Sequence, residues 1–292
     1  MRCFLLAGLL LVFAGCQPAP SAPGAETERV VSLAPSMTEL MFAAGAGRHL
    51  VAVTRSDDYP PAVDTLERID SYPLDLEALI ALAPTRVLAT SQINTPTLAS
   101  ELGDFDIQVD SYTFSSLGDI FSVLVALGDT FGTPAHARAA VENLEGRLAN
   151  LDSVRASFDS TPRVLVLVGD SVLYAFGGES YVNEMVERAG GQSVTGELPG
   201  ESAILSEEFV LQEAPDVILI GSRDRYDPSR LLRLHPTWDI VPAVRDGHVY
   251  GVSPDYLYRP GPRVVDGIAA IQELLVESGL ADSALTDPGL FP

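Results

Sequence analysis

The chain holds 292 residues, with 40 acidic side chains against 18 basic ones and a formal net charge of −22. Every basic residue is Arg and there is no Lys, which excludes both a basic nucleic-acid footprint and the Gly-Lys phosphate loop of an ATPase. Two cysteines, Cys3 and Cys16, are too few for a thiolate metal cluster.

The amino terminus reads as a targeting segment. Met1 and Arg2 give it a positive start, and residues 4–14 follow as an apolar run. That run is shorter than the about 20 residues a membrane span needs, so residues 1–15 read as a signal peptide. It ends in "FAGC", which resembles the bacterial lipobox, where cleavage before the cysteine is coupled to its lipidation. An ordinary secretory signal with an incidental Cys is the alternative. Loss of Cys3 with the signal leaves Cys16 as the lone cysteine, with no partner for an internal disulfide. Residues 16–28, rich in Pro, Ala, Ser and Gly without periodicity, read as a lipid anchor and a flexible tether reaching roughly 20 Å. The expected location is extracytoplasmic, moored to a membrane at Cys16.

Beyond residue 28, apolar runs predict strands at 29–34, 50–53, 86–90, 107–111, 163–168, 216–220 and 248–252. Helical patterns fall near 37–44, 75–83, 95–103, 116–131, 179–189, 206–214, 228–234 and 263–278. Strands separated by helices argue for parallel α/β sheets. One stretch, 134–158, breaks the alternation. It starts at a Pro and has no other breaker than Gly146, so it predicts one helix of roughly 35 Å.

A repeat frames that long helix. "LDLEALIALAPTRVLATS" at 74–91 and "LSEEFVLQEAPDVILIGS" at 205–222 align without a gap, pairing Glu77 with Glu208, Ala83 with Ala214 and Pro84 with Pro215. "RVVSLAPS" at 29–36 likewise pairs with "RVLVLVGD" at 163–170. The expected fold class is α/β: two α/β lobes with parallel central sheets, residues 29–132 and 160–292, joined by one long rigid backbone helix at 133–159. Ligands of parallel sheets bind beyond the strand carboxyl ends, so the expected site is a cleft between the lobes.

Several segments resemble the helical-backbone substrate-binding proteins of ABC importers, the class that carries cobalamin, siderophores and haem. They are "VVSLAPSMTELMFAAGAG" (30–47), "SDDYPP" (56–61), "LDLEALIALAPTRVLAT" (74–90), "HPTWDIVPAVRDGHVYGV" (235–252) and "YRPGPRVVDGI" (258–268), in the family's order. "SDDYPP" and "LDLEALIAL" are most similar to cobalamin-binding members. The resemblance implies a monomeric receptor without cofactor or catalytic residues, which passes a corrinoid or an iron chelate (siderophore or haem) to a two-fold symmetric permease and its ATPase. It also implies that permease Arg residues meet Glu77 and Glu208, one on each lobe. The family's Trp positions are not met in "LATSQINT" or "ELPGESAIL", and the only Trp, Trp238, lies in a segment expected to be core.

Candidate contacts follow from loop position. Ser36 and Met37 leave the first strand, and Ser36-x-x-Glu39 also has the form of a capping box, with Gly45 placed to stop the helix. Tyr59, Tyr72, Tyr174, Phe176, Tyr256 and Tyr258 offer rigid amphipathic rings near strand ends, and Arg259 can hold amide, carboxylate or phosphate groups. Cobalamin binders place ligand-binding groups at the positions of Tyr59, Tyr72, Tyr174 and Arg259. A haem ligand needs only one axial Tyr or His, which several of these tyrosines could supply. The four His are scattered, so no metal site is expected. Gly169-Asp170-Ser171 resembles the nucleophile block of GDSL hydrolases, but the Asp-x-x-His that should follow is missing.

Overall fold

The computed structural model describes residues 28–91, 95–223 and 225–281. The signal peptide, Cys16 and all of the tether except Glu28 lie outside these described residues.

The N-terminal lobe runs β1 (Val30–Ser32), α1 (Pro35–Ala43), β2 (Leu50–Thr54), β3 (Glu67–Ile69), α2 (Leu76–Ala81), β4 (Arg86–Thr90), α3 (Thr95–Gly103), β5 (Gln108–Tyr112) and α4 (Leu117–Thr130). Its five strands form a parallel sheet in the order β3-β2-β1-β4-β5. The backbone helix α5 (Pro134–Arg155) has 22 residues, about 33 Å, and Pro134 occupies its first turn where an absent N–H costs nothing. It ends a few residues before the expected boundary.

The C-terminal lobe runs β6 (Arg163–Leu167), β7 (Tyr174–Phe176), α6 (Tyr181–Ala189), β8 (Gln192–Ser193), β9 (Ser202–Ile204), α7 (Glu207–Glu213), β10 (Val217–Gly221), α8 (Pro228–Leu234), α9 (Pro242–Arg245), β11 (Val249–Val252), α10 (Pro254–Leu257) and α11 (Val264–Glu277). β11, β10 and β6 pair in parallel, as expected, and β8 adds to β6. β7 and β9 extend the sheet as an antiparallel ribbon, which the periodicity did not indicate. Three-residue strands contain too little alternation to register as a pattern.

The sequence repeat is a structural repeat. Val30 opposes Arg86 as Val164 opposes Val217, so the two sheets share one register at their centres. Arg29 donates from Nε to the Ala83 carbonyl (3.0 Å) and from Nη2 to that of Leu82 (2.8 Å). Arg163 donates from Nε to the Glu213 carbonyl (3.0 Å), and its Nη2 meets the Glu213 carboxylate. Each Arg thus closes the open carbonyl end of the equivalent helix, where positive charge is favoured. Ala83 and Ala214 both take left-handed backbone, φ 45° and 42°, and the following Pro prevents the helix from continuing. The Ala-Pro pair records a helix stop in each lobe.

One hydrophobic core crosses between the lobes. It joins Met37 and Leu40 of α1, Leu124 of α4, Leu144 and Leu148 of α5, Met185 of α6 and Ile268 of α11. Gly45 has φ +74°, and the His136 ring of α5 packs so closely that a Cβ there would meet it at 2.8 Å. Polar ties reinforce the contact: the Leu117 N–H donates to Glu184 (2.8 Å), and Arg147 pairs with Asp266 (2.5 Å). Helices from both lobes therefore grip α5, and the rigidity is a property of this shared core rather than of one helix alone. Separate clusters cover the outer sheet faces.

Two sequence expectations change here. Ser36 does not cap α1: the N-cap is Ala34 without a side-chain bond, and Pro35 starts the helix. Glu39 is buried and turns to an Arg of the other lobe instead. A reciprocal capping box does form at Ser116 and Asp119. Met37 is 0% exposed in the shared core, so it cannot touch a ligand in the cleft.

Candidate functional site: a cleft between the lobes

A cleft of about 600 Å³ lies beyond the carboxyl ends of the central strands of both sheets. The N-terminal lobe contributes Ser36, Thr90, Ser91 and Phe114, and the C-terminal lobe contributes Tyr174, Phe176, Ser180, Tyr181, Glu201 and Ser202. Tyr258 and Arg259 close one side.

The β7/β9 ribbon shapes the C-terminal wall. Residues opposite one another across antiparallel strands share a face. Tyr174 opposes Ile204 and Phe176 opposes Ser202, so these four face the cleft side while Ala175 and Ala203 face the other. Tyr174 and Ile204 are 40% and 73% exposed, an apolar shelf at the cleft mouth. Ser202 and Ile204 were not anticipated from sequence, because a Ser and an Ile carry no signal until the pairing shows their side.

Two phenols in the cleft are fixed by backbone carbonyls. Tyr181 donates to Leu257 O (2.7 Å) and Tyr258 to Val168 O (3.0 Å). Burial raises the Tyr181 phenol far above its ordinary value and pushes Tyr258 up to about 12, so both stay neutral donors. The Tyr174 hydroxyl has no partner among the described residues.

Arg259 lines the cleft but is already engaged. It bonds Asp58 (2.5 Å) and Ser56 O (3.0 Å) of the N-terminal lobe, pairs with Asp255 (3.0 Å), and lies 3.6 Å from Glu39. Arg263 grips Glu39 through two bonds of 2.9 and 2.6 Å, and Arg223 joins Asp58 to Asp255. The result is an ion-pair lattice that ties the lobes along one edge. Burial pushes the Glu39 carboxyl up, and Arg263 and Arg259 draw it back. Burial also raises Asp58, yet Arg259 and Arg223 outweigh it and hold that carboxyl below its ordinary value. Arg259, read from sequence as a ligand group, is first of all a strut between the lobes.

The remaining expected contacts fall elsewhere. Tyr59, 45% exposed, lies under the Arg263 guanidinium, whose carbon is 4.5 Å from the ring centroid. Tyr256 flanks the same guanidinium at 6.0 Å. Tyr72 is 98% exposed, beside the bridge between Ser71 and Leu74, and it is not part of the cleft wall. Glu77 and Glu208 are exposed in the first turns of α2 and α7, without partners among the described residues.

The Gly169-Asp170-Ser171 block is built for packing. Asp170 accepts from Tyr226 (2.8 Å) and from both arms of Arg230, and its carbonyl accepts from His235 Nε2 (2.7 Å). His235 also meets Glu207 (3.0 Å) and stacks on the buried Trp238, so its imidazole is committed away from Ser171. Trp238 is in the core, as its segment suggested. Among the described residues no cluster of His, Cys, Asp or Glu could hold a metal ion, and no helix is long and apolar enough to cross a membrane.

The Periplasmic binding protein family matches residues 30–256, and this chain belongs to that family. It is 28% identical over 250 residues to the Vitamin B12-binding protein of Vibrio parahaemolyticus, an alignment covering 84% of this chain and 88% of that one. The crystal structure of the periplasmic Vitamin B12 binding protein BtuF of Vibrio cholerae superposes with a TM-score of 0.73 at 25% identity, covering 86% of this chain and 98% of BtuF. The periplasmic heme-binding protein BhuT in complex with two hemes shares the fold, with a TM-score of 0.77 at 20% identity and coverage of 86% and 98%. The family is one of extracytoplasmic binding proteins, and the cleft between two α/β lobes is its architecture.

Proposed function

We propose that this protein captures a corrinoid in the cleft and delivers it to the permease of an ABC importer, without covalent chemistry. The charge of the cleft is the observation that carries this reading. Glu201 and Arg259 are the charged residues lining it, and Arg259 is compensated by three carboxylates. Glu201 has no side-chain partner among the described residues, so the uncompensated charge is negative. Like charge in a partly dry cleft costs several kcal/mol, which disfavours haem with its propionates and anionic ferric chelates. A corrin presents a cationic metal centre and a rim of neutral amides. The hydroxyls of Ser36, Thr90, Ser91 and Ser202 can exchange hydrogen bonds with those amides, and Tyr174 and Phe176 can pack on the macrocycle.

Delivery rests on Glu77 and Glu208, exposed at equivalent helix starts and free to meet a basic patch on each half of a two-fold partner. The lipobox-like "FAGC" supports a lipid anchor at Cys16. An iron chelate or haem is the second reading, supported by the free Tyr174 hydroxyl, which could serve as an axial ligand. Calorimetric titration of the purified chain with cyanocobalamin, haemin and a ferric siderophore decides between them. The corrinoid should bind far more tightly than either iron compound. Tight haemin binding with no response to cobalamin would overturn the assignment.

A further inference from the structure

We propose that a second chamber in the C-terminal lobe is a subsite for the phosphate of the ligand's nucleotide tail, with Arg225 as its anchor. The inference rests on the corrinoid reading and specifies which part of the ligand goes where. The chamber, of about 360 Å³, opens beyond the carboxyl ends of β6 and β10, with Gly169 and Gly221 at its floor. Tyr258 stands between chamber and cleft. A Cβ at Gly221 would meet the Tyr258 hydroxyl oxygen at 1.5 Å, so this wall can stand only where residue 221 has no side chain.

Among the described residues, the charges lining the chamber are paired except for one. Asp170 is taken by Arg230 and Tyr226, while Asp227 caps Ser229 (3.0 Å) and pairs with Arg233 (3.4 Å). Arg225 is exposed and has no acceptor among the described residues, in a chain with 40 acids to 18 bases. Among the described residues, cleft and chamber therefore carry opposite unmatched charges, Glu201 in one and Arg225 in the other. A complete corrinoid is a zwitterion of the same pattern, with a cationic metal macrocycle and a phosphodiester in the loop that carries the lower base. The planar guanidinium fork suits a phosphate geometrically as well as electrostatically. An exposed pair is screened by water and salt, so its expected effect is about two- to fivefold in affinity rather than a thousandfold.

Cyanocobalamin and dicyanocobinamide share the macrocycle, and only the first has the nucleotide and phosphate. In titrations of the full chain, Arg225→Gln should weaken cobalamin binding about two- to fivefold and leave cobinamide binding unchanged. Arg225→Lys should restore part of the loss, and added salt should shrink the difference between the two ligands in the wild type. Equal weakening of both ligands would make Arg225 a structural residue, and no change in either would empty the chamber of its role. Both outcomes overturn the proposal. If the wild type binds neither corrinoid, the corrinoid reading fails first and takes this subsite with it.

Discussion

In the N-terminal lobe Arg29 closes the end of α2 with two bonds to carbonyls, and in the C-terminal lobe Arg163 closes the end of α7 with one bond to a carbonyl and one to the Glu213 carboxylate. Past that shared clasp the lobes diverge. The first keeps a purely parallel sheet and offers the cleft mainly hydroxyls from the start of α1 and the end of β4. The second adds the β7/β9 ribbon and through it the exposed Tyr174 ring and the half-buried Phe176 ring of the site. On the proposed function, the difference separates two kinds of residue: those repeated in both lobes would hold the fold and its docking geometry, and those present in only one would define the ligand.

The strongest test of this division is at the repeated acids. Reversing both, Glu77→Arg with Glu208→Arg, should abolish ligand uptake by cells while solution affinity stays at the wild-type level. Each single reversal should cost the same fraction of uptake if the lobes face equivalent halves of one partner, as proposed. Unequal single effects would break the symmetry of docking, and wild-type uptake by the double variant would reduce the two Glu to helix-dipole residues.

Between the lobes, Glu39→Ala should lower stability by roughly 3–5 kcal/mol, since it takes from Arg263 its carboxylate partner and leaves a buried gap, while Arg259 keeps Asp58 and Asp255. Chemical denaturation would measure it, and a loss under about 1 kcal/mol would mean that the lattice adds nothing beyond the shared core. Two residues first read together as cleft contacts should then part company. Met37→Ala should cost about 2–5 kcal/mol of stability and leave the cleft chemistry intact, whereas Tyr174→Ala should weaken ligand binding about tenfold with little change in melting temperature. Calorimetry of both variants checks the contrast.

The clasps themselves should be worth less, and equally. Arg29→Ala and Arg163→Ala should each cost about 1–2 kcal/mol in urea unfolding, the worth of a few carbonyl hydrogen bonds at a partly solvated helix end. A clear excess in one lobe would show that the repeat is a matter of shape and not of energy. The smallest effect concerns acid. Asp58 has a folded-state value below its ordinary 3.8, so its contribution is present above that pH and is lost as pH falls through the lower folded value. Asp58→Asn should therefore remove part of the stability loss on the acid side of pH 3.8, with no change in slope near neutrality.

Much of this architecture was legible in the residues. Long apolar runs such as 86–90 and 163–167 mark central strands because both faces of a parallel sheet are buried. The 22-residue α5 announced itself by Pro134 and by the lack of breakers after it. The duplicated Ala-Pro and the duplicated leading Arg pointed to two lobes of one plan, because helix ends obey local rules that recur wherever the helix does. These are properties of neighbours along the chain, and the sequence by itself determined them.

Other features are decided by residues hundreds of positions apart, which no periodicity connects. Ser36-x-x-Glu39 satisfies the local rule for a cap, but Arg263 lies across the lobe boundary and takes the Glu39 carboxylate with two charge-assisted bonds. Arg259 is drawn from ligand duty to Asp58 in the same way. Met37 and Tyr174 both lie near strand ends, and one is core while the other is partly open to solvent because helices of both lobes close over α1 and the Tyr174 end of β7 is left uncovered at the cleft. The ribbon that makes the C-terminal lobe different spans three residues a strand, too short to repeat a pattern and long enough to aim two rings into the cleft. Burial and charge pairing depend on what arrives from the other lobe, so the tertiary structure alone decided which of these side chains are free to meet a ligand.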